Sequence, residues 1–457
     1  MIDIEHISNI YFVGIGGIGM SALARHFNNN GVKVSGYDKT RSLLCNELEL
    51  EGMKIHYDDN IELIDKDASI VVYTPAIPKD HKELNYYQKN GYQVLKRSDV
   101  LQLLTKETFN ICVAGTHGKT TISTMIAHIL RESGIGCTAF LGGLSVNYNT
   151  NYWSDNNKIC VIEADEYDRS FLKLNPDIAS ISAMDADHLD IYGTPEAVEE
   201  AFIEFAGKVK KDGLLISKYE LKRSGELSAI NKFTYSIDNK SADIYASNII
   251  IRDGSYYFDV ISNNTLLSNF ELNIGGLHNV ENSLVAIKAT LQTGAEIEKV
   301  KSSLANFKGV KRRFEFVVKK NSKNNIYIDD YAHHPEELKA LILSAKQLFP
   351  NKQCVVVFQP HLFSRTKDLA KEFATTLDLA DQVILLPIYP ARELPIEGVS
   401  SSLIEEKMVL ENKYLMDMTE VINWVKNDHS NNKDRLYITA GAGDIDQLVN
   451  KLQKILI

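Results

Sequence analysis

The stretch Phe109-Asn-Ile-Cys-Val-Ala114-Gly115-Thr116-His117-Gly118-Lys119-Thr120-Thr121 is an apolar run, then a turn holding two glycines, then the start of a helical pattern that continues to Glu132. A strand that feeds a glycine loop into a helix delivers backbone amides and the positive end of the helix to an anion. Lys119 is placed to neutralise the β and γ oxygens of a nucleoside triphosphate, and Thr120 to put a hydroxyl on Mg²⁺. The common phosphate loop carries a glycine five residues ahead of its Gly-Lys pair. That position is Val113 here, so the loop is a shorter form. A chance Gly-Lys-Thr in a turn is the competing reading, and the flanking strand and helix argue against it.

Upstream, short apolar runs at Ile10–Val13, Val32–Gly36 and Ser69–Tyr73 alternate with a helical pattern over Ser21–Asn29, the signature of βαβ units and a parallel sheet. Between the first strand and helix stands Gly14-Ile-Gly16-Gly17-Ile18-Gly19-Met-Ser. Glycines there let the backbone approach a pyrophosphate, and Asp38 at the end of the next strand lies where a dinucleotide fold puts its ribose-binding acid. Alone, this loop suggests an NAD-dependent oxidoreductase, or a tight turn with no ligand; which diphosphate it takes stays open.

Downstream, the strands Ile159–Ile162 and Ile178–Ile181 end in acidic clusters, Glu163-Ala-Asp165-Glu166-Tyr-Asp168 and Asp185-Ala-Asp187-His188-Leu-Asp190. Both belong at the carboxyl edge of a sheet, where Mg²⁺ beside phosphates finds its oxygen ligands. Glu163 and His188 are the favoured ligands, whereas Asp165, Asp168 and Asp190 read as solvated acidic turns. Polar β segments between Phe233 and Leu272 predict a small side sheet. His278-Asn279-Val-Glu-Asn282 opens a helix; Asn282 and His278 are candidates to read or stack on a base, with helix capping by Asn279 as the competitor.

The last third repeats the α/β pattern, with strands at Ile326–Asp329, Cys354–Phe358 and Gln382–Leu386. Asp329-Asp330-Tyr331-Ala-His333-His334-Pro335 and His361-Leu-Phe-Ser-Arg365 both fall at strand ends, and a cationic cluster there suits a carboxylate or a transferring phosphate. Trp153 and Trp424 are assigned to packing. Seams near Leu104–Phe109 and Asn306–Arg312 give three domains, 1–106, 107–308 and 309–457. The expected fold is therefore α/β throughout: a Rossmann-like N-terminal domain, a central phosphate-loop domain with a parallel sheet plus the side sheet, and a Rossmann-like C-terminal domain.

Three domains also match the length, since 457 residues exceed what one core of roughly 250 to 300 residues can serve. Hydrophobic residues make up 44% and charged residues 24%, which excludes global disorder. The formal charge of -10, with no long basic run, disfavours nucleic acid as a partner. Five cysteines, odd in number and without a Cys-x-x-Cys pair, fit a reducing compartment. Met1-Ile-Asp-Ile-Glu lacks the basic start of a signal peptide, and no apolar run nears the roughly 18 residues of a membrane span. A cytoplasmic protein without membrane insertion is expected.

In order along the chain, these motifs, with Gly309-Val-Lys-Arg-Arg313-Phe, Phe358-Gln-Pro-His-Leu-Phe-Ser-Arg-Thr366 and Tyr389-Pro-Ala-Arg-Glu393, resemble the ATP-dependent Mur ligases. The short phosphate loop is the form that family uses. The resemblance implies a monomeric or homodimeric enzyme of peptidoglycan precursor synthesis. Its substrates would be ATP, UDP-N-acetylmuramate and L-alanine, with Mg²⁺, or alternatively Mn²⁺, as cofactor. The lactyl carboxylate is phosphorylated, and the amine of L-alanine attacks the acyl phosphate. By the same resemblance Gly16, Gly17, Ile18, Gly19 and Asp38 serve the UDP sugar, and Gly115 to Thr121 hold ATP. Asn282, Arg313, Asp329 and Tyr331 surround the nucleotide; Thr120, Glu163 and His188 ligate the metal. Lys119, His334, His361 and Arg365 carry the chemistry, and closure about the Gly309 region excludes water. Tyr167 resembles instead the branch that attaches a recycled tripeptide to the same sugar nucleotide. Ala183-Met-Asp-Ala-Asp-His188 lacks an asparagine and a glutamate usual in the L-alanine branch, while the His361 and Tyr389 motifs favour it. The oxidoreductase reading leaves Lys119, Glu163, His188 and the paired histidines idle.

Overall fold

The computed structural model describes residues 7–155, 157–319, 321–391 and 393–457, with the backbone alone at Asp190. Met1–Glu5 and Arg392 lie outside the described residues, as does the Asp190 side chain. Packing divides the chain into two compact units. The first comprises the described residues up to Ser247 with Asp259–Ser268 and Glu281–Leu304; the second comprises Asn248–Phe258, Asn269–Val280 and Ala305–Ile457.

The first unit opens with a five-stranded sheet in the order Lys54–His56, Lys33–Tyr37, Asn9–Val13, Ile70–Tyr73, Val94–Lys96, parallel throughout. Tyr11, Phe12 and Val13 are buried on both faces, as covering helices on a parallel sheet require. Strand order reverses at Asn9–Val13, so a ligand crevice opens beyond its carboxyl end, where the Gly14 loop leads into the helix Ile18–Asn29.

A ten-stranded sheet follows, with Phe109–Ala114 lying parallel between Ile178–Ile181 and Ile159–Glu163. The loops after these three strands therefore open at one edge, which is what brings residues 115–121, 164–168 and 182–188 together. The helix Lys119–Glu132 covers this sheet through Ile122, Met125, Ile126, Ile129 and Leu130, all 0% exposed and spaced to form one face. The polar segments between Phe233 and Leu272 are strands as expected, and within the first unit Asn231–Ser236 pairs in parallel with Leu214–Lys218 and with Ile244 and Tyr245. Their alternation is visible in Ser255–Ser262, where Tyr256, Phe258 and Val260 are buried and Tyr257, Asp259 and Ile261 between them are half-buried.

The second unit carries a six-stranded sheet ordered Glu315–Val318, Ile326–Asp330, Arg435–Ala440, Gln353–Phe358, Gln382–Leu385, Lys413–Leu415. Only the Glu315–Val318 pairing is antiparallel. Arg435–Ala440, which sequence reading does not single out, fills the middle of the sheet. Among the described residues no helix is long and apolar enough to cross a membrane.

Candidate active site

Backbone geometry explains the two glycines of the phosphate loop. Gly115 has φ +130, and a Cβ there would fall 2.2 Å from the Ser182 hydroxyl; Gly118 has φ +83, and a Cβ would meet the Asn282 side-chain oxygen at 2.9 Å. Ser182 donates to the His117 carbonyl and, at 3.3 Å, to that of Ala114, while Thr116 N–H donates to the Ala183 carbonyl at 3.1 Å. The loop is thus laced to the neighbouring strand end. The first in-helix bond is Ile122 N–H to Gly118 O. The amides of Lys119, Thr120 and Thr121 accordingly have no acceptor within the helix and face the loop's mouth. His117 is exposed and lies 3.5 Å from Asp185.

Thr120 donates its hydroxyl to Glu163 at 2.9 Å, and the second Glu163 oxygen accepts from Gly142 N–H at 3.0 Å. A Cβ on Gly142 would sit 2.4 Å from that carboxylate, so only glycine fits there. Two hard oxygen donors side by side suit Mg²⁺. His188, the third expected ligand, has φ +52, its Nε2 lies 3.7 Å from Asp187, and its ring stands edge-on to Tyr167 at 5.0 Å. Lys119 donates to the Gly115 carbonyl at 2.9 Å and to Glu166 at 2.7 Å.

A cavity of about 300 Å³ runs from the glycine-loop helix start at Ile18 and Gly19, past Arg97, to Gly142 and Glu163. Its charged wall includes Arg97, whose guanidinium lies 3.7 Å from Asp165 and would touch a Cβ on Gly19 at 2.7 Å. Two of the expected diphosphate amides are engaged: Gly16 N–H donates to Asp38 at 2.8 Å and Gly17 N–H to the Gly14 carbonyl at 3.2 Å. Asp38 also accepts from Thr40 N–H at 3.0 Å. Asp38 therefore braces the loop. The amides ahead of the first in-helix bond, Ser21 N–H to Gly17 O, are those of Ile18, Gly19 and Met20.

In the second unit Asp329 stands on the strand Ile326–Asp330. It is 0% exposed, accepts from Thr439 at 2.6 Å and lies 3.4 Å from Arg312. Burial raises its carboxyl to about 7. Arg312 turns inward and also lies 5.1 Å over the Tyr331 ring, whereas Arg313 is exposed. His361 stacks on Tyr389 at 5.8 Å and meets the ring of His333, not His334, at 5.9 Å; His334 caps the helix Pro335–Leu348 from an exposed position. Burial pushes the His333 and His361 imidazoles below the ordinary value, and the Arg365 guanidinium adds to the effect at both. An Arg365 nitrogen is buried without a hydrogen-bond partner among the described residues.

Among the described residues one cluster, Asp59, His81 and Glu83, has metal-ligand composition. Most of its atoms are already committed, whereas His81 Nε2 is buried without a hydrogen-bond partner among the described residues. Asp59 accepts from Lys82 and Glu83 N–H, His81 from Leu84 N–H, and Glu83 from Tyr11 and Asn60. It is a helix cap, not a metal centre.

Three family models match the chain in order: the Mur ligase family catalytic domain over residues 9–108, the Mur ligase middle domain over 113–290 and the Mur ligase glutamate ligase domain over 312–443. The chain belongs to the Mur ligase family. This Mur ligase is 44% identical over 99% of both chains to UDP-N-acetylmuramate--L-alanine ligase of Flavobacterium johnsoniae. It is 45% identical to the enzyme of that name from Cytophaga hutchinsonii, over 99% of this chain and 97% of the other. A crystal structure of UDP-N-acetylmuramate-alanine ligase from Thermotoga maritima matches with TM-score 0.84 and 27% identity over 98% of each chain. A murein peptide ligase from Psychrobacter arcticus shares the fold at TM-score 0.67 and 22% identity.

Gly142, Glu166, Arg97 and His333 also stand at these sites in the structure, and sequence reading assigned none of them a role. Glu166 and His333 stood within motifs already singled out. Gly142 carried no signal, because its need for a missing Cβ comes from a strand paired with it in space.

Proposed function

We propose that the protein is an ATP-dependent, ADP-forming ligase that joins L-alanine to the lactyl carboxylate of UDP-N-acetylmuramate, a step of peptidoglycan precursor synthesis in the cytoplasm. The observation that carries this reading is the single cavity reaching from the Ile18–Gly19 helix start to Glu163. A diphosphate held at the helix start would extend its sugar carboxylate toward the phosphate loop. The names of the full-length relatives support the L-alanine branch over the tripeptide branch.

A carboxylate oxygen attacks the γ phosphorus and ADP leaves; the alanine nitrogen then attacks the acyl carbon and phosphate leaves. Two anions must meet in the first step, and Lys119 offsets their repulsion while the loop amides fix an in-line approach. Thr120 and Glu163 fit Mg²⁺, with His188 as a softer third donor also acceptable to Mn²⁺. The bound metal would neutralise phosphate charge as it develops. Asn282, beside Gly118, is the proposed nucleotide contact of the first unit. Arg313 and Tyr331 are those of the second. His334, His361 and Arg365, joined by His333, are the proposed groups for the amino acid and nascent amide; a neutral imidazole is the form that accepts the amine's proton.

Phosphate release from ATP with UDP-N-acetylmuramate tests the reading, with L-alanine compared against L-Ala-γ-D-Glu-meso-diaminopimelate. Alanine-dependent release is expected. Release with the tripeptide alone would move the protein to the other branch.

A further inference from the structure

Glu166 is a buried acidic residue beside the phosphate loop that has no part in the proposed metal site, since the Thr120 hydroxyl pairs with Glu163. Its side chain is 1% exposed and stands 2.7 Å from the Lys119 ammonium. Its backbone carbonyl is held by the Tyr192 hydroxyl at 2.6 Å and by Arg169 N–H at 2.9 Å. The other carboxylate oxygen, Oε2, is buried with no hydrogen-bond partner among the described residues. Lys119 is therefore the counter-charge of this carboxylate, and swinging it away would leave a buried anion uncompensated. Lys119 has three N–H donors. One goes to Glu166 and one to the Gly115 carbonyl, which fixes the direction of the third by tetrahedral geometry.

We propose that Glu166 is a positioning residue: with the Gly115 carbonyl it anchors two of the three Lys119 N–H bonds, so that the third is presented to the terminal phosphates of the nucleotide. This rests on the reading of the loop as an ATP site. An ammonium aimed in advance matters most where charge moves onto the transferring group, so its misplacement is felt in kcat more than in nucleotide affinity.

The test is steady-state kinetics and calorimetric titration of MgATP on full-length variants. Glu166→Gln keeps an acceptor and the shape, and kcat should fall about tenfold; Glu166→Ala lets the ammonium rotate, and kcat should fall about 100-fold or more. In both, KM for ATP should stay within about threefold, because loop amides and metal still hold the phosphates. Should the Ala variant fail to fold, Glu166→Asp, which withdraws the charge by one methylene, replaces it with the same expectation. A kcat equal to wild type, a loss carried by KM alone, or a Gln variant no better than Ala or Asp would overturn the proposal. The ATP reading fails separately, through a wild-type protein that does not bind MgATP or a Lys119→Ala variant with full kcat.

Discussion

Thr120 and Glu163, 43 residues apart in sequence, share a hydrogen bond of 2.9 Å at the carboxyl edge of the central sheet. Parallel pairing of Phe109–Ala114 with Ile159–Glu163 sets this meeting, because Val113 and Glu163 are register partners. A hydroxyl and a carboxylate so placed form an oxygen pair before any metal arrives.

Gly142 guards that pair. A Gly142→Ala methyl would lie 2.4 Å from the Glu163 carboxylate and force it aside, so the Mg²⁺ concentration giving half-maximal turnover should rise about tenfold. Mg²⁺ titration of phosphate release measures this, and an unchanged midpoint would count against Glu163 as a ligand. Chelation with EDTA should stop turnover in both proteins.

Lys119→Ala should lower kcat by about 1,000-fold or more, the scale of losing a cation on a transferring phosphoryl group. Binding of UDP-N-acetylmuramate, followed by calorimetry, should stay within about twofold, since additivity holds for separate subsites. Equal loss at both would mean that the two subsites are not independent.

Asp38 braces the glycine loop through Gly16 and Thr40. Asp38→Ala should therefore weaken UDP-N-acetylmuramate binding about tenfold through loop disorder, about the value of one charge-assisted hydrogen bond. KM for ATP should not move. NADH fluorescence should show no binding in either protein; a clear NADH signal lost in the variant would revive the dinucleotide role for Asp38.

His26, packed against Tyr152 and Phe140, is pushed by burial to about 4. The unfolded chain, with an imidazole near 6.5, takes up the proton first as pH falls. Its contribution to stability is thus complete above that value and is lost toward pH 4, by on the order of 3 kcal/mol. Urea unfolding of wild type and His26→Gln should show the difference between them shrinking from pH 7 to 4.5. A flat difference would contradict the buried neutral state.

Much of the fold was legible from local signals. Phe109–Ala114 and Ile178–Ile181 coincide with observed strands because apolar runs bounded by glycine or acidic turns have few other outcomes. Arg435–Ala440 was not read, although it is central to its sheet, since a strand near a chain's end carries no motif to draw notice. Asp329 was placed beside the nucleotide by the family resemblance alone. Its contacts with Thr439 and Arg312 join residues that are far apart in sequence, which no local pattern announces.

The sequence by itself determined the α/β units, the glycine turns and the residue types gathered at strand ends, because helical and strand periods and glycine's tolerance of positive φ act over a few neighbours. Tertiary structure alone decided which of those residues meet: Lys119 with Glu166, Glu163 with Gly142, His361 with His333 in place of its neighbour. Such pairings depend on strand order and on which face each side chain takes, and both are set by burial across long loops that no local pattern encodes.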